Sequence, residues 1–281
     1  MIETGKIQKL TIGRMVEFGA YLHAEGDSSA EVLIPARYLP ENAAVGDRIE
    51  VFVYRDSEDR PVATTERPYA LPGEFAYLQV AAVNDTGAFL QWGLPKDLLV
   101  PYSEQRSKMR RGGIYLVYIY IDHATGRIVA SAKTDKFLGN VFPDYKPGQK
   151  VNILVTEHTE IGYKVIVDNL HRGIIYSNEI FKPVEVEQNM SAYVKQVRPD
   201  GKIDITLSGP AARRTEATAE RIIEYLREPR HAPIGDKSDP ELISRLFECS
   251  KRDFKQAVGH LYKAHIIIID PEGHIHLSEK A

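Results

Sequence analysis

The stretch EFGAYLHAEGDSSAEVLIPARYLP, Glu17 to Pro40, decides the fold. Two aromatics, Phe18 and Tyr21, flank Gly19, and apolar residues alternate on through Val32 and Ile34. Alternation with period two, broken by Gly, Asp and Ser, is the pattern of a half-buried β-hairpin. The same pattern recurs twice. In GKIQKLTIGRMVEFGAYLHA from Gly5, GEFAYLQVAAVNDTGAFLQW from Gly73 and GQKVNILVTEHTEIGYKVIV from Gly148, a second glycine follows fourteen residues after the first: Gly19, Gly87 and Gly162. Apolar residues coincide at Leu10, Leu78 and Ile153, and again at Ile12, Val80 and Val155. About fifty-five residues after each leading glycine a basic residue opens a short strand: RPVATT from Arg60, RIVASA from Arg127 and KIDITL from Lys202. One repeat of about seventy residues, used three times, accounts for all of these coincidences.

Each copy reads as a long first strand, a strand after the second glycine, a short third strand (EVLIP, DLLVP, GIIYS) and two more strands. Five short strands in seventy residues predict an oligonucleotide-binding-type barrel whose second and third strands form the ligand face. The second glycine is expected where a side chain would crowd the closing strand. After LSGPAARR the alternation gives way to helical spacing, with Ala219, Ile222, Ile223 and Leu226 on one face. Asp239 before Pro240 predicts a helix start, and Ser250 with Asp253 a second one over KRDFKQAVGHLYKAH. IIIIDPEGHIHL then reads as a hairpin. The chain is expected to be mainly β with a small α/β end domain: three tandem five-stranded barrels over 1–68, 69–140 and 141–208, then a winged helix-turn-helix over 209–281.

Composition sets the class of partner. The chain has 281 residues, 27% of them charged and 43% hydrophobic, ordinary values for a globular protein. Its longest aliphatic run is Ile266 to Ile269, far short of a membrane span. The start, MIETGKIQKL, lacks a signal-peptide core, and the lone Cys249 fits a reducing compartment, so the sequence reads as cytoplasmic. The net charge of −3 runs against a strong general nucleic-acid binder. Charge is unevenly spread, however. Residues 69–140 hold 8 basic against 6 acidic residues, and residues 1–68 hold 8 against 12. The basic run EQRSKMRRGG puts Arg106, Lys108, Arg110 and Arg111 into one loop of the second copy, where a phosphate backbone is expected to run.

EFGAYL and TGAFL, each followed by an EVLIP or DLLVP strand and a GRI-like final strand, resemble the RNA-binding motif of ribosomal protein S1. The resemblance implies two aromatics around the glycine, a histidine on the third strand, and an aspartate and arginine at the last hairpin. In the first copy these are Phe18, Tyr21, Asp56 and Arg60, with Ile34 at the histidine position. The second has Phe89, Asp122 and Arg127, with Thr86 replacing an aromatic and Val100 the histidine. The third has Ile161 and Lys164 at the aromatic positions, Tyr176 for the histidine, Lys202 for the arginine and Asp200 at a shifted offset. Aromatics on such a face stack on exposed bases of single-stranded nucleic acid, and neighbouring Arg and Lys hold phosphates. The competing reading packs Phe18, Tyr21 and Phe89 into the barrels.

In the end domain Lys251, Lys255 and Lys263 would contact phosphates if the third helix entered a DNA groove. With 12 basic and 12 acidic residues over 209–281, packing or help in RNA binding is expected ahead of DNA readout. His274 and His276 share a strand face and read as edge residues, without a metal. Cys249 reads as a small apolar filler. No nucleophile and base pairing, phosphate-cradling loop or metal-ligand spacing stands out, so neither an enzyme nor a cofactor is expected. Over the whole chain, three S1-like copies and the helix SKRDFKQAVGHLYK resemble the bacterial conserved virulence factor B family. That resemblance implies an RNA-binding regulator, and the residues above add the expected mechanism, single-stranded RNA held through several weak faces in series. A winged-helix DNA regulator and a protein-interaction scaffold are the alternatives.

Overall fold

The computed structural model describes residues 1–278 apart from 182, 210 and 229. The first repeat forms β1 (Ile7–Val16), β2 (Gly19–Ala24), β3 (Asp27–Pro35), β4 (Arg48–Arg55) and β5 (Pro61–Thr64), a closed barrel in the order β1-β2-β3-β5-β4. The second forms β6 (Phe75–Val83), β7 (Gly87–Gln91), β8 (Leu98–Pro101), β9 (Ile114–Ile121) and β10 (Ile128–Ser131). The third forms β11 (Lys150–Thr159), β12 (Gly162–Val167), β13 (His171–Tyr176), β14 (Asn189–Val197) and β15 (Ile203–Thr206), again closed.

The repeated residues do the same work in each copy. Gly5, Gly73 and Gly148 sit at positive φ, and each donates its N–H to the fourth strand or its flank, at Val53, Ile119 and Val194. At Gly19, Gly87 and Gly162 a Cβ would overlap the carbonyl oxygen of Ile34, Val100 and Ile175 on the facing strand. The first strand carries a bulge at the same place each time, between Ile12 and Arg14, Val80 and Ala82, and Val155 and Glu157. Such bulges bend the long strand so that it serves two parts of a barrel wall.

The copies differ at one seam. The third and fifth strands pair in parallel through Gly173↔Ile203, Ile174↔Asp204 and Ile175↔Ile205 in the third barrel, and through Leu33↔Val62 alone in the first. In the second, β8 and β10 lie side by side with no hydrogen-bonded ladder among the described residues, giving an open order β10-β9-β6-β7-β8.

The barrels belong to two compact units, Met1–Leu138 and Gly139–Ala281. Within the first unit one apolar core runs across two barrels. Phe52 and Tyr54 of β4 turn away from their own barrel, which Val51 and Val53 fill. They join Trp92, Leu94 and Leu98 of the second barrel instead, with Phe52 edge-on to Trp92 at 5.9 Å. Burial of both faces explains why β4 reads RIEVFVYR with an unbroken apolar run rather than clean alternation.

In the second unit the third barrel is followed by α1 (Ala211–Arg227), α2 (Pro240–Phe247), α3 (Lys251–Lys263) and the hairpin β16 (Ile267–Ile269)–β17 (Ile275–Leu277). Asp239 caps α2 by accepting from Glu241 N at 2.7 Å, and Ser250 caps α3 by accepting from Asp253 N at 3.1 Å. Asp253 does not reach back to the Ser250 N–H, as a reciprocal box would require; it accepts from the Ser250 hydroxyl at 2.7 Å. Ile222, Phe247, Phe254, Leu261, Ile267 and Ile275 form the core of this winged helix.

Candidate nucleic-acid interface

Strand register fixes which side chains face outward. Tyr21 pairs with Leu33, Phe89 with Leu99 and Lys164 with Ile174 across the second and third strands. Ile34 and Val100 lie one residue further along and are fully buried, so they are core residues and not ligand-face positions. Their counterpart in the third barrel is Ile175, whereas the half-exposed Tyr176 matches Pro35 and Pro101. The histidine position assigned from sequence is therefore one residue out of step in two copies. In a strand such a slip carries a side chain to the opposite face.

The three outward positions are chemically different. In the first barrel the Arg14 guanidinium lies 3.8 Å from the centre of the Tyr21 ring and is held there by Glu31 at 3.0 Å. Phe18 stands in the turn before β2, 59% exposed. In the third barrel Lys164 is ion-paired with Glu157 at 2.8 Å, and Ile161 is exposed. The Arg198 guanidinium stands 5.7 Å from the Tyr176 ring, fixed by the buried Asp204 at 2.7 Å. In the second barrel Ala82 occupies the place of Arg14, and half-buried Phe89 faces a groove of about 490 Å³.

That groove follows the unzipped seam. Phe89, Leu99 of β8 and Ile128 of β10 line it, together with Tyr54 and Arg55 from the end of β4. The connection from Trp92 to Asp97 closes it. Trp92 is buried in the shared core and donates its indole N–H to Lys96 O at 2.7 Å. Lys96 Nζ in turn donates to the carbonyl oxygens of Arg55 and Asp56 at 2.9 and 2.6 Å. Burial, and then the nearby Arg127, hold the Lys96 ammonium below the ordinary lysine range. Arg127 donates from Nε to Asp59 at 3.0 Å, and that bond keeps the Asp59 carboxyl low. Two cations thus bridge the first barrel's last hairpin to the second barrel's face, and Arg55 Nε, also at the groove, is buried without a hydrogen-bond partner.

The aspartate and arginine of the last hairpin have structural duties. Asp56 Oδ1 accepts from the N–H groups of Glu58 and Arg60, and Oδ2 from the Arg60 guanidinium at 2.7 Å. Asp122 likewise accepts from the N–H groups of Ala124 and Thr125, which leaves Arg127 free to reach Asp59. In the third barrel Arg198 stands where Asp56 and Asp122 stand, and Lys202 pairs with Asp200 at 3.2 Å.

Arg106, Lys108, Arg110 and Arg111 are all exposed. Their loop is pinned from inside by buried Met109, whose N–H donates to Gln105 Oε1 at 3.1 Å, and by Gln105 donating to Val100 O. None of the four cations lines the Phe89 groove; the loop starts beside the β6–β7 turn, where the Tyr102 hydroxyl donates to Asn84 O. The structure therefore brings Phe89 and Arg127 together and leaves the loop as a separate positive surface. Sequence reasoning missed Tyr54, Arg55, Lys96 and Asp97. The available signal was the chain's only tryptophan, followed by a Gly-Leu-Pro-Lys turn present in one copy alone.

On α3, Lys255 is paired with Asp236 at 2.9 Å, while Lys251 is half-buried and Lys263 exposed. On the wing, Asp270 meets both histidines, at 3.1 Å from His276 Nε2 and 3.4 Å from His274 Nδ1. The hydrogen bond from His276 and that from the His274 N–H pull its carboxyl down to about 2. This is a carboxylate that caps its own turn. Cys249 is buried in the winged-helix core, where burial pushes its thiol up to about 11, the opposite of an activated nucleophile.

The S1 domain family matches residues 4–66 and again 72–133, and the CvfB-like winged helix domain matches 220–277. The third barrel shares the closed strand order of the first. The chain is 28% identical over 269 residues to the uncharacterized protein YitL of Bacillus subtilis, covering 92% of this chain and 89% of that one. It is 26% identical to conserved virulence factor B of Staphylococcus saprophyticus and 25% identical to that of Staphylococcus aureus strain USA300, each covering 84% of this chain and 81% of the relative. A crystal structure of a multidomain protein with nucleic acid binding domains from Streptococcus pneumoniae covers 98% of both chains at 22% identity, with a TM-score of 0.40. No helix among the described residues is long and apolar enough to cross a membrane. S1 and winged-helix domains are typically binding modules without catalytic machinery, and they point to nucleic acid as the class of partner. Two S1 domains therefore stand in tandem ahead of a CvfB-like winged helix domain, and over most of its length the chain is similar to the conserved virulence factor B proteins.

Proposed function

We propose that the protein is an RNA-binding regulator that holds single-stranded RNA across the joined first and second barrels. The observation that carries this reading is Phe89, an outward aromatic with Ala82 where the first barrel has Arg14, in a groove that Arg55, Lys96 and Arg127 also line. An unpaired base has a free π-face for the phenyl ring, worth about 1–3 kcal/mol per base. Arg127 retains guanidinium N–H groups beyond the one on Asp59 and can meet a phosphate. The exposed cations of the 106–111 loop extend the positive surface for the flanking backbone, which gives affinity to a chain whose total charge is −3. The third barrel and the winged helix add weaker contacts in series.

Competition between labelled single-stranded RNA and duplex DNA over a salt series tests the reading. Single-stranded RNA is expected to win at every salt concentration, and Phe89→Ala is expected to weaken it. Preferential capture of duplex DNA would move the function to the winged helix, and absence of either would leave a protein-interaction scaffold.

A further inference from the structure

One charged group in the groove has no role in holding it together. Asp97 lines the groove on the side of the β7–β8 connection and is half-buried. It makes no hydrogen bond or ion pair with any described residue, unlike Asp56, Asp59 and Asp122 nearby. Burial raises its carboxyl above the ordinary range. The neighbouring ammonium is engaged elsewhere, on the carbonyl oxygens of Arg55 and Asp56.

A carboxylate facing a polyanion repels phosphate, so it is misplaced in a site that reads only backbone. It is well placed for the edge of a base. A carboxylate offers two acceptor oxygens and no donor. Among the four RNA bases only guanine presents two donors side by side, its N1–H and N2–H. The amino groups of adenine and cytosine each adjoin a ring nitrogen lone pair, and the uracil N3–H is flanked by two carbonyl oxygens; both arrangements set acceptors against the carboxylate.

We propose that Asp97 makes this groove selective for guanine, accepting its N1–H and N2–H while the base stacks on Phe89. The proposal rests on the reading of the groove as the RNA site and adds the base it selects. Because Asp97 bonds to no described residue, replacing it is expected to leave the fold intact.

The test uses the full chain and four fluorescent dodecamers: all uridine, and uridine with a single central guanosine, adenosine or cytidine. The wild type is expected to bind the guanosine oligomer about tenfold more tightly than the other three, within the roughly 5- to 150-fold discrimination of a good bidentate pair. Asp97→Ala is expected to bind all four oligomers alike, with an unchanged Tm. Equal wild-type affinity for the four, or a guanosine preference that survives Asp97→Ala, overturns the proposal. Phe89→Ala separates this from the underlying reading. If it weakens all four oligomers while the wild type shows no preference, only the guanine assignment falls. If it changes none of them, the groove itself is not the site.

Discussion

The first and second barrels present the same outward position in opposite states. Tyr21 lies beneath Arg14, which Glu31 holds in place, whereas Phe89 has Ala82 where the arginine would be. The seam beneath also differs: one bridged pair joins β3 to β5, and none joins β8 to β10 among the described residues. A shared scaffold thus carries one face closed by its own side chains and one left open. What the family fold guarantees is the place for a ligand; the neighbouring residue decides whether the place is vacant.

The scaffold itself offers the largest effects. Gly19→Ala and Gly87→Ala should each cost about 3 kcal/mol in urea denaturation, because the added carbon overlaps a strand carbonyl that cannot retreat without breaking the barrel. If only Gly87→Ala is tolerated, the open seam gives the second barrel slack that the first lacks. Next comes Phe89→Ala, expected to lose about 1–3 kcal/mol of affinity for single-stranded RNA while Tm changes little, since a residue in the core would instead cost stability of about 3–5 kcal/mol.

Neutralising Arg106, Lys108, Arg110 and Arg111 together should weaken RNA binding and lower the slope of log affinity against log salt, by about 0.7 for each phosphate no longer neutralised. An unchanged slope would place the backbone elsewhere. In the third barrel, burial pushes the Asp204 carboxyl up, but hydrogen bonds from Arg198 and Gln196 outweigh it and leave it low. A carboxyl lowered by folding adds stability that is present above its unfolded value of about 3.9 and is lost as pH falls through the folded value. Asp204→Ala should therefore cost about 1–3 kcal/mol at pH 7 and progressively less in acid, read from Tm at stepped pH. The smallest effect belongs to Tyr21→Ala, below about 0.5 kcal/mol of RNA affinity if the Arg14 cover holds. A loss as large as that of Phe89→Ala would mean that RNA displaces the guanidinium, and the contrast between the barrels would disappear.

The repeat was legible because its signals are backbone requirements. Glycines at fixed spacing and buried residues in step follow from local sterics and alternation, so three barrels, the helices and the wing could all be read from residues. The histidine position was misread at Ile34 and Val100 because motif matching counts along one strand, while the face depends on pairing to the next. Phe89 and Arg127 were recognised by type, but their partners were not. Lys96, Asp97 and Arg55 become one site only because β4 of one barrel packs on the turn of another. The basic loop drew attention by composition, and composition is silent about direction: Met109 is buried, and its charged neighbours are exposed and do not line the groove.

The two-faced burial of β4 bears on how the molecule can be taken apart. Phe52 and Tyr54 are 1% and 6% exposed only because the second barrel covers them. Residues 1–68 expressed alone would present both rings, with Val62 beside them, as a bare apolar patch at the end of an otherwise polar hairpin. Patches of that kind drive self-association. A fragment study would thus recover the first S1 barrel as an aggregate or a dimer, and its silence toward RNA would say nothing about the intact chain. The smallest informative fragment is the pair, through Leu138.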